Sequence, residues 1–215
     1  MVDHRRRAGR EEKLVLPVVW HKVRNLVDFR VTATYNMLDT EKIVQDLRDG
    51  KVIVLPTDTI YGISCLAFDA DARARIAQIK DRNDEKKFVV LIGNTRQLFE
   101  LGIFPNPVEQ KLIKKYWPGS LTIAFTLELA VRFPDYPELC EMIQKTGPIV
   151  STSANISGQN PARSIDEAKK MFGDQVDAYY NDGIRNDIPS TLVRTEGVKV
   201  KIIRQGAVHI DADFM

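Results

Sequence analysis

The stretch VIVLPTDTIYGIS, Val52 to Ser64, decides the fold. Val52, Ile53, Val54 and Leu55 run apolar without alternation, as a strand buried on both faces does. The run then breaks into Pro56-Thr57-Asp58-Thr59. After Tyr61-Gly62 an apolar segment resumes, which predicts a second strand over Ile63–Phe68. A polar cluster just past the carboxyl end of a buried strand lies where open α/β sheets bind ligands. Threonine hydroxyls donate and accept, an aspartate accepts, and turn amides can face an anion. The structural alternative is a turn whose Thr and Asp side chains satisfy their own backbone.

Outward from this stretch, helices and strands alternate. DTEKIVQDLRDG (39–50) reads as an amphipathic helix with Asp39 or Thr40 as cap and Gly50 as stop. DADARARIAQIK turns Ala72, Ile76 and Ile79 inward. FVVLIG (88–93) is a buried strand. TRQLFELG and NPVEQKLIKKYW are helices, the second opened by Asn106 and Pro107. SLTIAFTLE alternates as a strand, YPELCEMIQKTG is a helix ending at Gly147, and PIVSTS is a strand. SIDEAKKMFG is a helix with a capping box between Ser164 and Glu167. VDAYYND, STLVR and VKIIRQG are late strands. Alternation early and crowded strands late predict an α/β fold with an open, twisted, mixed sheet and flanking helices.

The chain has 215 residues, 44% hydrophobic and 28% charged, enough for one sizeable core. No run of 18 apolar residues exists and no apolar segment marks a signal peptide, so no membrane association is expected. A net charge of +2 does not by itself point to nucleic acid. Cys65 and Cys140 sit among apolar residues and read as buried thiols in a reducing cytoplasm. His4, His21 and His209 are scattered, which argues against a His-based triad or zinc site. Residues 1–13 are polar and Arg-rich and read as a flexible tail within an N-terminal extension, 1–35, whose stretch 14–35 alternates apolar residues without a clean period and could hold a strand; the main domain is expected over 36–215.

Three further places could carry chemistry. KDRNDEKK (80–87) puts Lys80 and Arg82 at a helix end, where cations complement the dipole but could also clamp phosphate. STSANISGQNP (151–161) follows an apolar strand and offers hydroxyl and amide donors for phosphate or ribose, or an ordinary Ser/Thr turn. Arg132 and Arg204 lie beside apolar strand residues, as snorkelling or ion-paired cations do, though arginine is also suited to bidentate carboxylate recognition. Donors and cations at several strand ends favour an anionic ligand over thiol or histidine chemistry.

These segments together resemble the YrdC family, the threonylcarbamoyl-AMP synthases. The resemblance runs from about Thr40 to Ala207. It is carried by PTDTIYGI, Lys80 and Arg82 of KDR, YWPGSLT (Tyr116–Thr122), VRFPDYP, STSANISG, STLV (Ser190–Val193) and IIRQG. It implies a twisted α/β sheet with a positively charged concave cleft. It also implies a nucleotidyltransferase reaction in which L-threonine, bicarbonate or CO₂, and ATP with Mg²⁺ give threonylcarbamoyl-AMP and pyrophosphate. A separate transferase complex then modifies tRNA. By resemblance, Thr59, Arg132, Ser153 and Ser190 surround the threonine. Lys80, Arg82, Lys86, Ser151, Asn155 and Arg204 contact the nucleotide, with electrostatic roles for Lys80 and Arg82. No general acid or base and no metal ligand is implied. Four features depart from the family pattern: Lys87-Phe88 where a proline usually follows Lys86, Leu91 at a frequent histidine position, a short Trp117–Arg132 interval and an inserted Asn160. The length matches the short, single-domain form. A basic cleft and the Arg5-Arg6-Arg7 tail leave RNA contact as a competing reading, and carbamoyl transfer with another substrate as a third.

Overall fold

The computed structural model describes residues 34–36, 39–81 and 88–214. Its centre is a sheet of ten strands. In chain order these are β1 (Thr34–Asn36), β2 (Ile53–Pro56), β3 (Tyr61–Leu66), β4 (Val89–Leu91), β5 (Leu121–Ala124), β6 (Ala130–Arg132), β7 (Ile149–Ser153), β8 (Ala178–Asn181), β9 (Thr191–Glu196) and β10 (Lys199–Arg204). Their spatial order is β1-β8-β2-β3-β7-β4-β6-β5-β9-β10. β1 and β2 pair with β8 in parallel, as do β4 with β6 and β5 with β9; the remaining neighbours are antiparallel. The expected mixed α/β sheet is therefore found.

The apolar run at Val52–Leu55 feeds two cores because strand side chains alternate between faces. Val52 and Val54 join one cluster, with Ile76 of helix α2 (Ala70–Ile79), Leu112 of α4 (Pro107–Tyr116) and Phe172 of α6 (Ile165–Phe172). Ile53 and Leu55 join the other, with Ile43 and Leu47 of α1 (Thr40–Arg48) and Met142 and Ile143 of α5 (Pro137–Thr146). The second cluster draws buried residues from β2, β4, β7 and β8, and none from β5, β6 or β9. Along those strands no helix among the described residues covers this face, and there the sheet can meet a ligand.

Local chemistry accounts for most element ends. Asp39, not Thr40, caps α1 by accepting from the Lys42 amide. At α4, Asn106 and Glu109 form a full capping box with Pro107 in the first turn. At α6 the expected box is displaced. Ser164 accepts from the Glu167 amide, but the Glu167 carboxylate accepts from the amide of Arg163, one residue further out. TRQLFELG yields a single turn, α3 (Gln97–Glu100), after which the chain leaves the helix at Gly102, whose φ is 70°. β3 begins at Tyr61, earlier than expected, since Tyr61 and Gly62 pair with Pro56 and Leu55. SLTIAFTLE stops as a strand at Ala124, where the Phe125 amide bonds the Leu129 carbonyl and turns the chain into β6. Residues 34 and 35, at the end of the expected extension, lie in edge strand β1; the tail 1–13 lies outside the described residues.

One buried carboxylate ties α1 to the sheet. Asp46 accepts from Lys42, from Lys51 at 2.7 Å and from the Tyr180 hydroxyl at 2.6 Å. Burial alone would raise its pKa, but these three bonds outweigh it and hold the carboxyl below its ordinary value. The stabilisation is present above the unfolded carboxylate range and disappears as pH falls through the lowered folded value. Asp46→Asn should therefore lower stability by about 1–3 kcal/mol at neutral pH. It should also flatten the acid limb of a urea-denaturation profile measured against pH.

Candidate active site

A cavity of about 370 Å³ opens on the uncovered face. Its floor is made by alternate residues of neighbouring strands: Ala124 of β5, Ala130 and Arg132 of β6, Val89 of β4, Ser151 and Ser153 of β7, Leu192 and Arg194 of β9. The Thr57–Thr59 turn, Pro189-Ser190 and Arg204 complete the wall. Arg132, Arg194 and Arg204 line it, and none of the described lining residues is a carboxylate.

The turn that follows β2 does both things its sequence allowed. Thr57 closes the turn: its Oγ1 donates to the Ile60 carbonyl at 2.8 Å and accepts from the amides of Thr59 and Ile60. The two threonine hydroxyls lie 3.0 Å apart, and either can donate to the other. Thr59 Oγ1 in turn accepts from Arg132 Nη1 at 3.1 Å. Guanidinium, Thr59, Thr57 and backbone are thus joined in one hydrogen-bonded chain.

Arg132 is almost fully buried and ion-paired with Asp58, Nη1 to Oδ1, at 2.6 Å. Asp58 also accepts from the Asp135 amide at 3.3 Å and Ser120 Oγ at 3.4 Å. Burial lowers the Arg132 pKa, Asp58 opposes the shift, and a guanidinium remains charged through it. Nη2 has a marginal 3.5 Å contact with Thr57 Oγ1. Nε is buried with no hydrogen-bond partner among the described residues.

The loop after β7 is fixed from below. Lys80, the C-cap of α2, is buried, and its ammonium donates to the carbonyls of Ser153 and Asn155 and to Asn155 Oδ1. Asn155 Nδ2 then holds the Ile156 and Gln159 carbonyls. Ser151 accepts from Ser64 at 3.0 Å, which leaves its own proton for a ligand. It fits because position 62 is glycine: a Cβ there would stand 2.3 Å from Ser151 Oγ. Across the cavity, Ser190 Oγ bonds Thr122 at 2.8 Å, and Arg204 donates to the Ser190 carbonyl at 2.9 Å.

Of the residues singled out from sequence, Thr59, Arg132, Ser151, Ser153, Ser190 and Arg204 meet at this cavity. Lys80 and Asn155 are bound to each other beneath its rim rather than forming its lining. Arg82 and Lys86 lie outside the described residues. Sequence reasoning missed Asp58 as the partner of Arg132, and Arg194, whose i+2 spacing from Leu192 on β9 was the available signal. Both cysteines are buried, with burial pushing Cys65 to about 12 and Cys140 to about 11, so neither is a thiolate at neutral pH.

The sheet order and a cavity of hydroxyls and arginines define a class, and comparison with known proteins gives it a family. The model of the Sua5/YciO/YrdC family, described as "Telomere recombination", matches residues 45–206. The chain belongs to this family. It is 33% identical over 147 residues to a Cellvibrio japonicus protein named threonylcarbamoyl-AMP synthase, covering 61% of this chain and 77% of that one. It is 32% identical over 163 residues to the protein of that name from Pseudoalteromonas translucida, covering 68% and 87%. Among solved structures, E. coli YciO superposes with a TM-score of 0.75 at 23% identity, over 86% of this chain and all of that one. P. abyssi Sua5 complexed with L-threonine superposes at 0.74 and 24% identity over 81% of this chain. These two show the fold. The chain spans 58% of that Sua5 chain.

Lys80→Met should remove three hydrogen bonds to the loop, leaving the Ser153 carbonyl with only the Asn155 amide and Asn155 Oδ1 with only Ser153 Oγ, and cost about 1–3 kcal/mol. Urea denaturation checks the loss, and limited proteolysis should show faster cleavage between residues 155 and 160.

Proposed function

We propose that the protein is a threonylcarbamoyl-AMP synthase. It joins L-threonine, bicarbonate or CO₂, and ATP into L-threonylcarbamoyl-AMP with release of pyrophosphate, the first step of threonylcarbamoyladenosine formation in tRNA. The observation that carries this reading is the guanidinium of Arg132, which lines the cavity and whose buried Nε has no hydrogen-bond partner among the described residues. A buried donor without a bond is costly, and a carboxylate is the ligand group that relieves it with two parallel bonds.

In this reading Arg132 holds the threonine carboxylate while Thr59, Ser153 and Ser190 surround its amine and hydroxyl. Thr59 hydrogen-bonds the substrate with the capacity that Arg132 and Thr57 leave it. Ser151, Arg204, Arg82 and Lys86 serve the nucleotide, and Asn155 does so through the loop it holds. Lys80 serves it indirectly, by shaping the Ser153–Asn155 loop. Mg²⁺ enters with the triphosphate. The threonine nitrogen bonds the carbon of CO₂ and loses a proton. A carbamate oxygen then bonds the α-phosphorus as the bond to pyrophosphate breaks. Both partners are anions, so the barrier is chiefly repulsion and alignment, which fixed cations and donors reduce without a covalent nucleophile. The buried, protonated cysteines agree with that economy. The product is passed in the cytoplasm to a tRNA threonylcarbamoyl transferase complex.

Purified protein with ATP, Mg²⁺ and bicarbonate should release pyrophosphate when L-threonine is added and not before. Release that ignores threonine, or none from folded protein that binds ATP, overturns the reading. Arg132→Lys keeps the charge but loses the fork, so its KM for threonine should rise at least about tenfold with the KM for ATP little changed.

A further inference from the structure

Asp58 stands in the middle of the turn after β2 but takes no part in closing it, which Thr57 does alone. Its carboxylate faces Arg132, 74 residues away in sequence, and both side chains are almost wholly buried. A pair serving packing alone would be expected to have its remaining protons satisfied, since an unpaired buried donor is costly. This pair is not so arranged. Asp58 and Thr59 occupy Nη1, while Nε has no partner and Nη2 has a 3.5 Å contact. In a planar guanidinium, Nε–H and one Nη2–H are parallel and together match the two oxygens of a carboxylate. The engaged corner and the vacant edge are therefore complementary halves of one receptor.

We infer that Asp58 is the positioning residue of the amino-acid site: by fixing Nη1 it presents the Nε–Nη2 edge of Arg132 for bidentate capture of the substrate carboxylate. The inference rests on the synthase reading above. Asp58 touches no substrate and acts through Arg132, itself held on Oδ2 by the Asp135 amide and Ser120. Charge and geometry predict opposite signs here. Removing the Asp58 charge makes the site more positive, which taken alone attracts a carboxylate more strongly. Losing the orientation weakens its capture.

The experiment is Asp58→Asn, with calorimetry of L-threonine binding and steady-state pyrophosphate release. The Kd and KM for threonine should rise about 10- to 100-fold, the range expected when a positioned group moves by about an ångström. The KM for ATP should stay within about twofold, separating this from general damage. Inhibition by L-threoninamide, which lacks the carboxylate, should be unchanged, so that the preference for threonine over its amide falls by the same factor. A threonine KM that is unchanged or lower overturns the inference. Wild-type protein that binds ATP but neither binds threonine nor releases pyrophosphate overturns the synthase reading and this one with it. Asp58→Glu keeps the charge and displaces it by one methylene; it too should lose threonine affinity, and wild-type behaviour would overturn the inference. If neither variant folds, side-chain NMR of the wild type decides. Arg132 should show separate, slowly rotating Nη resonances before threonine is added, and a freely averaging guanidinium overturns the inference.

Discussion

The shortage of helices on one face of the sheet is the constraint on which the site depends. Helices α2, α4 and α6 cover one face, whereas α1 and α5 cover the other over β2, β4, β7 and β8. Strands β5, β6 and β9 are left to turn their alternate side chains toward a cavity. A strand floor gives a fixed spacing: side chains two residues apart share a face, and neighbouring strands bring Ser151, Val89, Ala130 and Ala124 into adjacent rows. The functional groups are thus held by the most rigid part of the molecule, while loops contribute the rim.

The electrostatics of that floor follow from burial. A guanidinium can sit in the sheet because Asp58 neutralises it and because arginine keeps its proton where a lysine or histidine would surrender one. The buried ammonium of Lys80 is stabilised differently, by carbonyl dipoles and an amide oxygen. Two buried cations thus have two roles: Arg132 retains donor capacity in the cavity, and Lys80 directs three donors at the loop above it. Their sequence contexts gave little means of telling them apart.

Much of the architecture was legible because it rests on short-range patterns. The apolar runs at Val52–Leu55 and Phe88–Ile92, the caps at Asp39 and Asn106, and the stop at Gly147 all depend on neighbours within a few residues. β6 was not legible: three residues, Ala130–Arg132, carry no period, and pairing with β4 and β5 alone makes them a strand. The Ser164 box slipped outward because Glu167 reaches an equally available amide one position earlier. At the site, residue types pointed to hydroxyls and cations, and the family resemblance pointed to which ones. The Asp58–Arg132 pairing depends on strand order, and the saturation of Lys80 on the height of a loop above α2. Neither is encoded locally.

The parallel pairing of β5 with β9 has a consequence for how the molecule comes into being. Leu121–Ala124 finds its partner in Thr191–Arg194, and the far wall of the cavity is added by β10 after that. A chain emerging from the ribosome has made the Thr57–Thr59 turn early but must wait for its last strands before that turn has anything to face. Contacts closed across so long a loop are slow to form. Until they do, β5 presents an open edge to other nascent chains, and the charges of Arg194 and Arg204 are not yet in place. Ligand competence is thus the last property the protein acquires, and a chain released before residue 190 would keep much of the core while lacking a wall of the cavity.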